Sequence, residues 1–358
     1  MSGSHAKLKI CATYAYAAKL QRRATSSFGC GAKLQLCLLL TLAVAVPAFA
    51  QAPVEPPVDS ALEVIKVQGN VWMIAGAGGN IAVQAGEQGV IVVDTGAAGL
   101  SDKVIAAIRG ISSRPIRYII NTSIASQHVG GSAALATLPG GSTTGATRGA
   151  TPAVIAQENI LNRMTLAGPD GKSAYPSGAW PTDGYFAPRR GMIFNGEAID
   201  IIHLPKAFSD GDSAVYFRGS NVLVTGDVFT TTSLPMMNRA LGGSYAGVLA
   251  ALNVLLDITV PDDLAEGGTY IIPGHGRISD EADLVETRDM VYQLRDRLQK
   301  LVTTDRKTLE QVKAARPVIG WEGRYSHPGW TTDMFLEAVY PEFAPPAAAA
   351  PRPRPRNE

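Results

Sequence analysis

Cysteine is nearly absent. The 358-residue chain has three, Cys11, Cys30 and Cys37, all close to the N-terminus. The rest of the chain therefore has no disulfide, no thiolate metal ligand and no cysteine nucleophile. An excess of charge of one sign is missing too. Thirty-two Lys and Arg face 31 Asp and Glu, for a net charge of +1. There is no basic stripe suited to nucleic acid and no acidic block suited to a solvating tail. Charged residues make up 18% and hydrophobic ones 46%, which excludes a disordered chain. No apolar run reaches bilayer length: Leu34–Val46 is about 13 residues, against the roughly 20 that a span needs. What the chain has in quantity is glycine. Thirty-seven of them favour a loop-rich α/β or β architecture over a helix bundle.

The N-terminus reads as a targeting segment. Lys19, Arg22, Arg23 and Lys33 precede the apolar run, and Ala48-Phe49-Ala50, a small-x-small cleavage site, follows it. This order predicts a signal peptide over 1–50 and export to the periplasm or the medium. An uncleaved anchor is the rival. The residues after Arg22-Arg23 fit a twin-arginine signal poorly. Cys37 stands at the start of the apolar run, where a lipid-attachment cysteine does not belong. Residues 51–60 form a Pro-rich leader. Residues 344–358 are Pro, Ala and Arg without apolar periodicity and read as a solvated tail. Between them lie roughly 290 residues, enough for one large domain or two small ones.

Within this body, β-rich and helical patterns alternate. Val64–Val67, Val71–Ile74, Asn80–Gln84 and Val90–Val93 read as strands between glycine turns. Asp102–Ile111 has helical spacing, Tyr118–Asn121 is a buried-strand candidate, and Pro152–Met164 reads as a helix. Leu166–Arg190, rich in Pro, Gly and aromatics, reads as a long insertion. Its Tyr175, Trp180, Tyr185 and Phe186 either cover a cleft or anchor the loop. A second β-rich block spans Met192–Phe194, Ala198–His203, Ala214–Arg218 and Asn221–Thr225. A helix over Tyr245–Asp257, a strand over Tyr270–Ile272 and a long helix over Asp280–Val302 starting at Ser279 follow. Leu309–Ala315 and Asp333–Val339 are shorter helices. Two β-then-α halves imply two sheets packed face to face with helices outside.

Four segments carry the chemistry: Val93-Asp94-Thr95-Gly96; Asn121-Thr122-Ser123-Ile124-Ala125-Ser126-Gln127-His128-Val129-Gly130-Gly131; Ala207-Phe208-Ser209-Asp210-Gly211-Asp212 with Val224-Thr225-Gly226-Asp227-Val228-Phe229; and Pro273-Gly274-His275-Gly276. In order, spacing and flanking strands they resemble the metallo-β-lactamase superfamily over roughly Val64 to Val302. The resemblance implies an α/β fold of the αββα sandwich type, two mixed β-sheets face to face with helices outside, over 61–302. Residues 303–343 resemble the C-terminal helical extension of secreted bacterial members, packed on that domain. It also implies a dinuclear zinc site in which a His-x-His-x-Asp-His loop and a later His, Asp and His hold two ions. The ions turn water into hydroxide near neutral pH.

Most of those ligand positions are occupied by other residues here. Ser123, Ala125 and Gln127 stand where the loop's first two histidines and its aspartate would be, and Phe208 replaces the next histidine. His128, Asp227 and His275 remain. Alanine offers no donor, serine is a poor zinc ligand at neutral pH, and an ion buried against the Phe208 ring would be costly. His203 lies five residues before Phe208, too far along an extended strand to substitute. His327 reads as a surface or packing residue in a Gly/Pro-flanked loop. Asp94 is expected to be structural, accepting backbone bonds at its turn, and Asp210 and Asp212 to organise their loop. Gly130-Gly131 either cradles an anion or permits close backbone packing.

The expectation is an exported protein of this fold with little or no dinuclear hydrolase activity, a pseudoenzyme or ligand-binding protein. The alternative is a hydrolase with one Zn2+ held by His128, Asp227 and His275. A small-molecule ligand or substrate is expected as partner, with no nucleic acid and no membrane span after signal cleavage.

Overall fold

The computed structural model describes residues 61–141, 151–169, 171–264, 267–325 and 327–344. The expected signal peptide, the whole of the leader and nearly all of the tail lie outside the described residues.

Seven strands form the first sheet, in sequence order: β1 (Glu63–Gln68), β2 (Val71–Ala75), β3 (Ile81–Gly86), β4 (Gly89–Val93), β5 (Ile116–Ile120), β6 (Ala153–Gln157) and β7 (Asp183–Tyr185). The first four pair antiparallel through tight turns, and β4 to β7 run parallel. Strand β4 is buried along its whole length, as its unbroken Val-Ile-Val-Val run requires of a strand covered on both faces. The second sheet holds β8 (Arg189–Phe194), β9 (Glu197–His203), β10 (Ser213–Phe217), β11 (Val222–Val224) and β12 (Tyr270–Ile272), in the order β12-β11-β10-β9-β8. Only β11 and β12 are parallel there.

Side-chain alternation builds the layers. On β9 and β10, Ile199, Ile201, Val215 and Phe217 point into a core shared with Val71, Met73, Ile91, Val93 and Ile120 of the other sheet. The neighbours Ile202 and Ala214 point the opposite way, toward the helices. Helix α1 (Ser101–Ile111) covers the outer face of the first sheet through Val104 and Ile108. The short helices α2 (Ser126–Val129) and α3 (Ser132–Leu135) follow β5, and α4 (Glu158–Met164) follows β6. Helices α5 (Tyr245–Leu256) and α6 (Glu281–Leu298) cover the outer face of the second sheet. The result is the αββα sandwich. Val312 of α7 (Leu309–Ala314) and Phe335, Leu336 and Val339 of α8 (Thr332–Phe343) belong to the core of α5 and α6, so the C-terminal helices share the domain's packing.

Three boundaries differ from the sequence reading. Pro152–Met164 is not one helix: Ala153–Gln157 is a fully buried strand and only Glu158–Met164 is helical. A short apolar run satisfies either pattern, and pairing with β5 and β7 decides it. The Leu166–Arg190 insertion contributes β7 and the start of β8. The long helix is capped by Asp280, not Ser279; the Asp280 carboxylate accepts the Asp283 N–H at 3.0 Å.

Candidate metal centre

The parallel pairs β4/β5 and β11/β12 bring Asp94, the 121–131 segment, Gly226–Val228 and Pro273–Gly276 to strand ends, where the chain must turn. His128 lies on the one-turn α2 and is fully buried. Its backbone carbonyl accepts the Thr95 N–H at 2.7 Å and the Thr95 hydroxyl at 2.9 Å. Its Nδ1 lies 2.8 Å from Asp94 Oδ2, and its Nε2 lies 2.8 Å from Asp227 Oδ1. Asp94 adopts φ 63°, a left-handed conformation that Asp tolerates. Its carboxylate accepts the Thr122 N–H at 2.7 Å and the Thr122 hydroxyl at 2.6 Å. Asp94 therefore bonds across to the next strand's end and to His128, rather than within its own turn.

Asp227 sits in the tight turn after β11, where Gly226 has φ 53° and any Cβ would collide with the Thr122 hydroxyl. His275 Nε2 is 3.3 Å from Asp227 Oδ1, yet it is buried without a hydrogen-bond partner. The two imidazoles meet edge to face, with centroids 5.7 Å apart. Asn80 brackets the His275 loop. Its side-chain amide donates to Pro273 O and Gly276 O, each at 2.9 Å, and its backbone N–H donates to Gly274 O at 2.8 Å. Among the described residues, one ligand atom each from His128, Asp227 and His275 lies within 4.8 Å of the others, so this group could hold a metal ion.

The electrostatics follow from burial and pairing. Burial opposes a charge on His128, but attraction to Asp227 and then Asp94, with hydrogen bonds to both, holds its pKa well above the usual imidazole value. Burial likewise opposes ionisation of Asp227, but the His128 charge, its hydrogen bond and His275 drive the carboxyl far below its usual range. The pairing thus favours the charged form of His128. Asp212 behaves oppositely. Burial pushes it up to about 8, against hydrogen bonds from Ser209, and nearby Asp227 adds to the rise.

The replaced ligand positions form the open side. Ser123 is buried, with its hydroxyl accepting the Ala125 N–H at 3.3 Å. Ala125, Gln127 and Phe208 are half-buried. Phe208 belongs to none of the hydrophobic clusters among the described residues. Asp212 holds the Ser209 N–H and hydroxyl, both at 2.6 Å, while Asp210 pairs with both arms of Arg163 at 2.8 and 2.6 Å. Gly130 and Gly131 lie against the backbone of Ala98 and Thr95, which accounts for them by close packing. In the insertion, Tyr175 and Trp180 pack with Ile124 and Val129 behind the His128 loop, and Tyr185 is buried with its hydroxyl 2.6 Å from Ser213 Oγ. Phe186 alone of these four aromatics is exposed. His203 turns away to the Asp210 carbonyl, 2.9 Å from its Nε2.

Sequence reading missed Asn80. Asn80 immediately precedes β3, and a polar residue at the head of an apolar run is the signal it offers. His327, half-buried in its C-terminal turn, is lowered below the usual imidazole value, first by burial and then by the charge of His275.

A family model described as the metallo-beta-lactamase superfamily matches residues 66–275. The chain belongs to that superfamily. Among solved structures, the stereoselective inverting sec-alkylsulfatase Pisa1 from Pseudomonas sp. aligns with TM-score 0.58 and 16% identity, covering 79% of this chain and 50% of that one. This superfamily member thus spans about half the length of the alkylsulfatase, and at that identity the likeness shows the fold alone. A metallo-beta-lactamase from Pontibacter korlensis aligns with TM-score 0.48 and 16% identity over 64% of this chain and 99% of that one. No curated protein matches.

Proposed function

We propose that the protein is an exported hydrolase that works with a single divalent ion, zinc by the chemistry of its ligands, held by His128, Asp227 and His275. The observation that carries this is the buried, unpartnered His275 Nε2, aimed at the carboxylate that also binds His128. A buried imidazole nitrogen without a partner is costly in a protein that has no use for it. Two imidazoles and one carboxylate match a catalytic zinc set, in which a remaining position is left open. Asp94 supplies what such a site needs behind it: a carboxylate on the far nitrogen of a ligating histidine, fixing its tautomer and ring orientation.

A divalent ion bound there supplies Lewis acidity, acidifying water and polarising a carbonyl or phosphoryl oxygen. The chain's own residues do the rest. Asp94 turns His128 so that Nε2 faces Asp227. Asn80 holds the His275 loop from both sides. The small or half-exposed side chains at 125, 127 and 208 leave the approach open. Ser123, Ala125 and Phe208 leave the first of the family's two sites without nitrogen ligands, so one ion is expected rather than two.

Zinc calorimetry and elemental analysis of the mature protein test this reading. The expected result is one equivalent, lost in His275→Ala. Two equivalents after dialysis would overturn the single-ion assignment, and none would leave a ligand-binding pseudoenzyme. Export rests on the charged-apolar-small order of 1–50. N-terminal sequencing of the secreted form should begin near Gln51.

A further inference from the structure

The turn between β2 and β3, Gly76-Ala77-Gly78-Gly79-Asn80, touches both histidine-bearing loops of the metal centre. Gly79 is buried, and its backbone lies against the edge of the His128 ring. A Cβ on Gly79 would stand 2.8 Å from His128 Cε1, 3.1 Å from His128 Nδ1 and 3.1 Å from the Gln127 carbonyl oxygen. The φ of Gly79 is not in the left-handed region, so glycine is required here for space and not for conformation.

The ring that meets Gly79 has little room to yield. Cε1 is the carbon between the two nitrogens, and each nitrogen is held at 2.8 Å, Nδ1 by Asp94 and Nε2 by Asp227. A ring pushed off Gly79 must change the geometry of both bonds. Moving Cε1 from 2.8 Å to the 3.4 Å of ordinary contact takes about 0.6 Å. A binding constellation must be held to roughly 0.5 Å.

The next residue holds the other loop. The Asn80 side-chain amide donates to Pro273 O and Gly276 O, one on each side of His275. The Asn80 N–H, part of the Gly79–Asn80 peptide, donates to Gly274 O at 2.8 Å. The Cα atoms of the pair are about 3.8 Å apart across that planar peptide. The peptide is thus a spacer between two imidazoles whose centroids stand 5.7 Å apart. The turn is itself fastened. The Gly79 N–H donates to Gln127 O at 3.2 Å, and Ala77 O accepts the Ala97 N–H at 2.7 Å.

We propose that Gly79 and Asn80 are the positioning residues of the centre. The bare backbone of Gly79 sets where the His128 ring stands, and Asn80 sets where His275 comes up to it. The spacing of the two imidazoles, and with it the affinity for a divalent ion, is fixed from the β2–β3 turn. The proposal rests on the single-ion reading for the ion, but not for the ring positions, which are present in the metal-free chain.

The test uses the full chain labelled with 15N, first metal-free and then with zinc or cobalt(II). Zinc is d10, so cobalt reports the ligand geometry through its visible spectrum. In the parent, zinc should shift the Gly79 amide and the Asn80 side-chain amide and leave the Gly110 amide in place. Gly79→Ala should move the His128 ring signals before any metal is added. It should also alter the cobalt spectrum and weaken zinc binding about 10- to 100-fold, the usual effect of losing support behind a ligand. Asn80→Leu should act on the His275 signals with a similar loss of affinity. In the double variant the losses should not add, because both act on one spacing. Gly99→Ala, where a Cβ meets nothing within 4 Å, is the control and should change none of these. Unmoved His128 signals and parental zinc affinity in Gly79→Ala would overturn the proposal. So would weaker zinc binding with a parental cobalt spectrum, which is loss of stability alone. If Gly79→Ala does not fold, silent Gly79 and Asn80 amides in the zinc-loaded parent would overturn it equally. If the parent takes up no zinc while Gly79→Ala still displaces the His128 ring, the single-ion reading falls and the positioning role stands.

Discussion

The two sides of the cleft are built from the same kind of strand-end turns, but only one is closed. On the His128 side a continuous path runs from Thr122 through Asp94, His128 and Asp227 to His275. On the other side Ala125, Gln127 and Phe208 are half-buried and carry no such network. The difference teaches what a metal site demands of its scaffold. A ligand is held by an outer partner as much as by its own backbone. The closed side retains both its ligands and that partner, in Asp94. The other side has lost the ligands themselves.

The largest expected effect comes from breaking the closed side. Asp227→Ala removes the shared partner of both imidazoles and leaves a buried imidazolium with Asp94 alone. Losing one member of a buried charge pair costs about 3–5 kcal/mol. The cost depends on pH in a definite way. Asp227 is lowered in the folded chain, so its contribution is present above the ordinary carboxyl range near ~3.9 and fades as pH falls toward its folded value. His128 is raised, so its contribution is present below the ordinary imidazole value near ~6.5 and fades as pH rises through its folded value. The difference between parent and variant should therefore be greatest between those limits and smaller on either side. Urea denaturation of the metal-free proteins across pH checks this, and a difference that ignores pH would deny the ionic description of the cluster.

A second, smaller effect should follow from making the open side resemble the closed one. Ser123→His, Ala125→His, Gln127→Asp and Phe208→His together would return three imidazoles and a carboxylate to the cleft. Ala125, Gln127 and Phe208 are half-buried and have room to change. Ser123 is fully enclosed, so its replacement is the strained step, and overpacking of this kind costs about 1–3 kcal/mol. Without metal the quadruple variant should be less stable than the parent. With zinc at a hundredfold excess over the dissociation constant of the new site it should regain about 2.7 kcal/mol beyond any shift in the parent. Thermal melts with and without zinc measure this. A folded variant without the additional zinc-dependent shift would mean that these four positions no longer face one ion.

The same contrast explains what could be read from the sequence. The sandwich was legible because its turns carry short motifs in a fixed order, and His128, Asp227 and His275 were legible because each sits inside one. The Asp94–His128 contact was not, because it joins residues 34 apart in the chain through a backbone conformation that no pattern announces. Asn80 acts on a loop 193 residues away and belongs to no motif. Pro152–Met164 failed for another reason. Its apolar residues fit a helix period and a buried strand equally well, and only the neighbouring strands distinguish them.

The smallest effect concerns the C-terminal turn around His327 and Trp330. Trp330 is half-buried against the core of α5 and α6, and its indole N–H is its link to Pro235. Trp330→Phe keeps an aromatic ring for packing and removes that donor. One neutral hydrogen bond contributes about 1 kcal/mol net, and Pro235 O is left to find water. Global stability should therefore fall by roughly 1 kcal/mol or less, and zinc affinity should not change, because His128, Asp227 and His275 keep every contact. The turn itself should loosen. Hydrogen exchange at Gly329, whose N–H holds His327, should speed up, while the amides of β4, β5, β11 and β12 keep their protection. Faster exchange spread over those strands as well would show that the turn and the metal centre unfold as one unit, and that the C-terminal segment is part of the closed side rather than an addition to it.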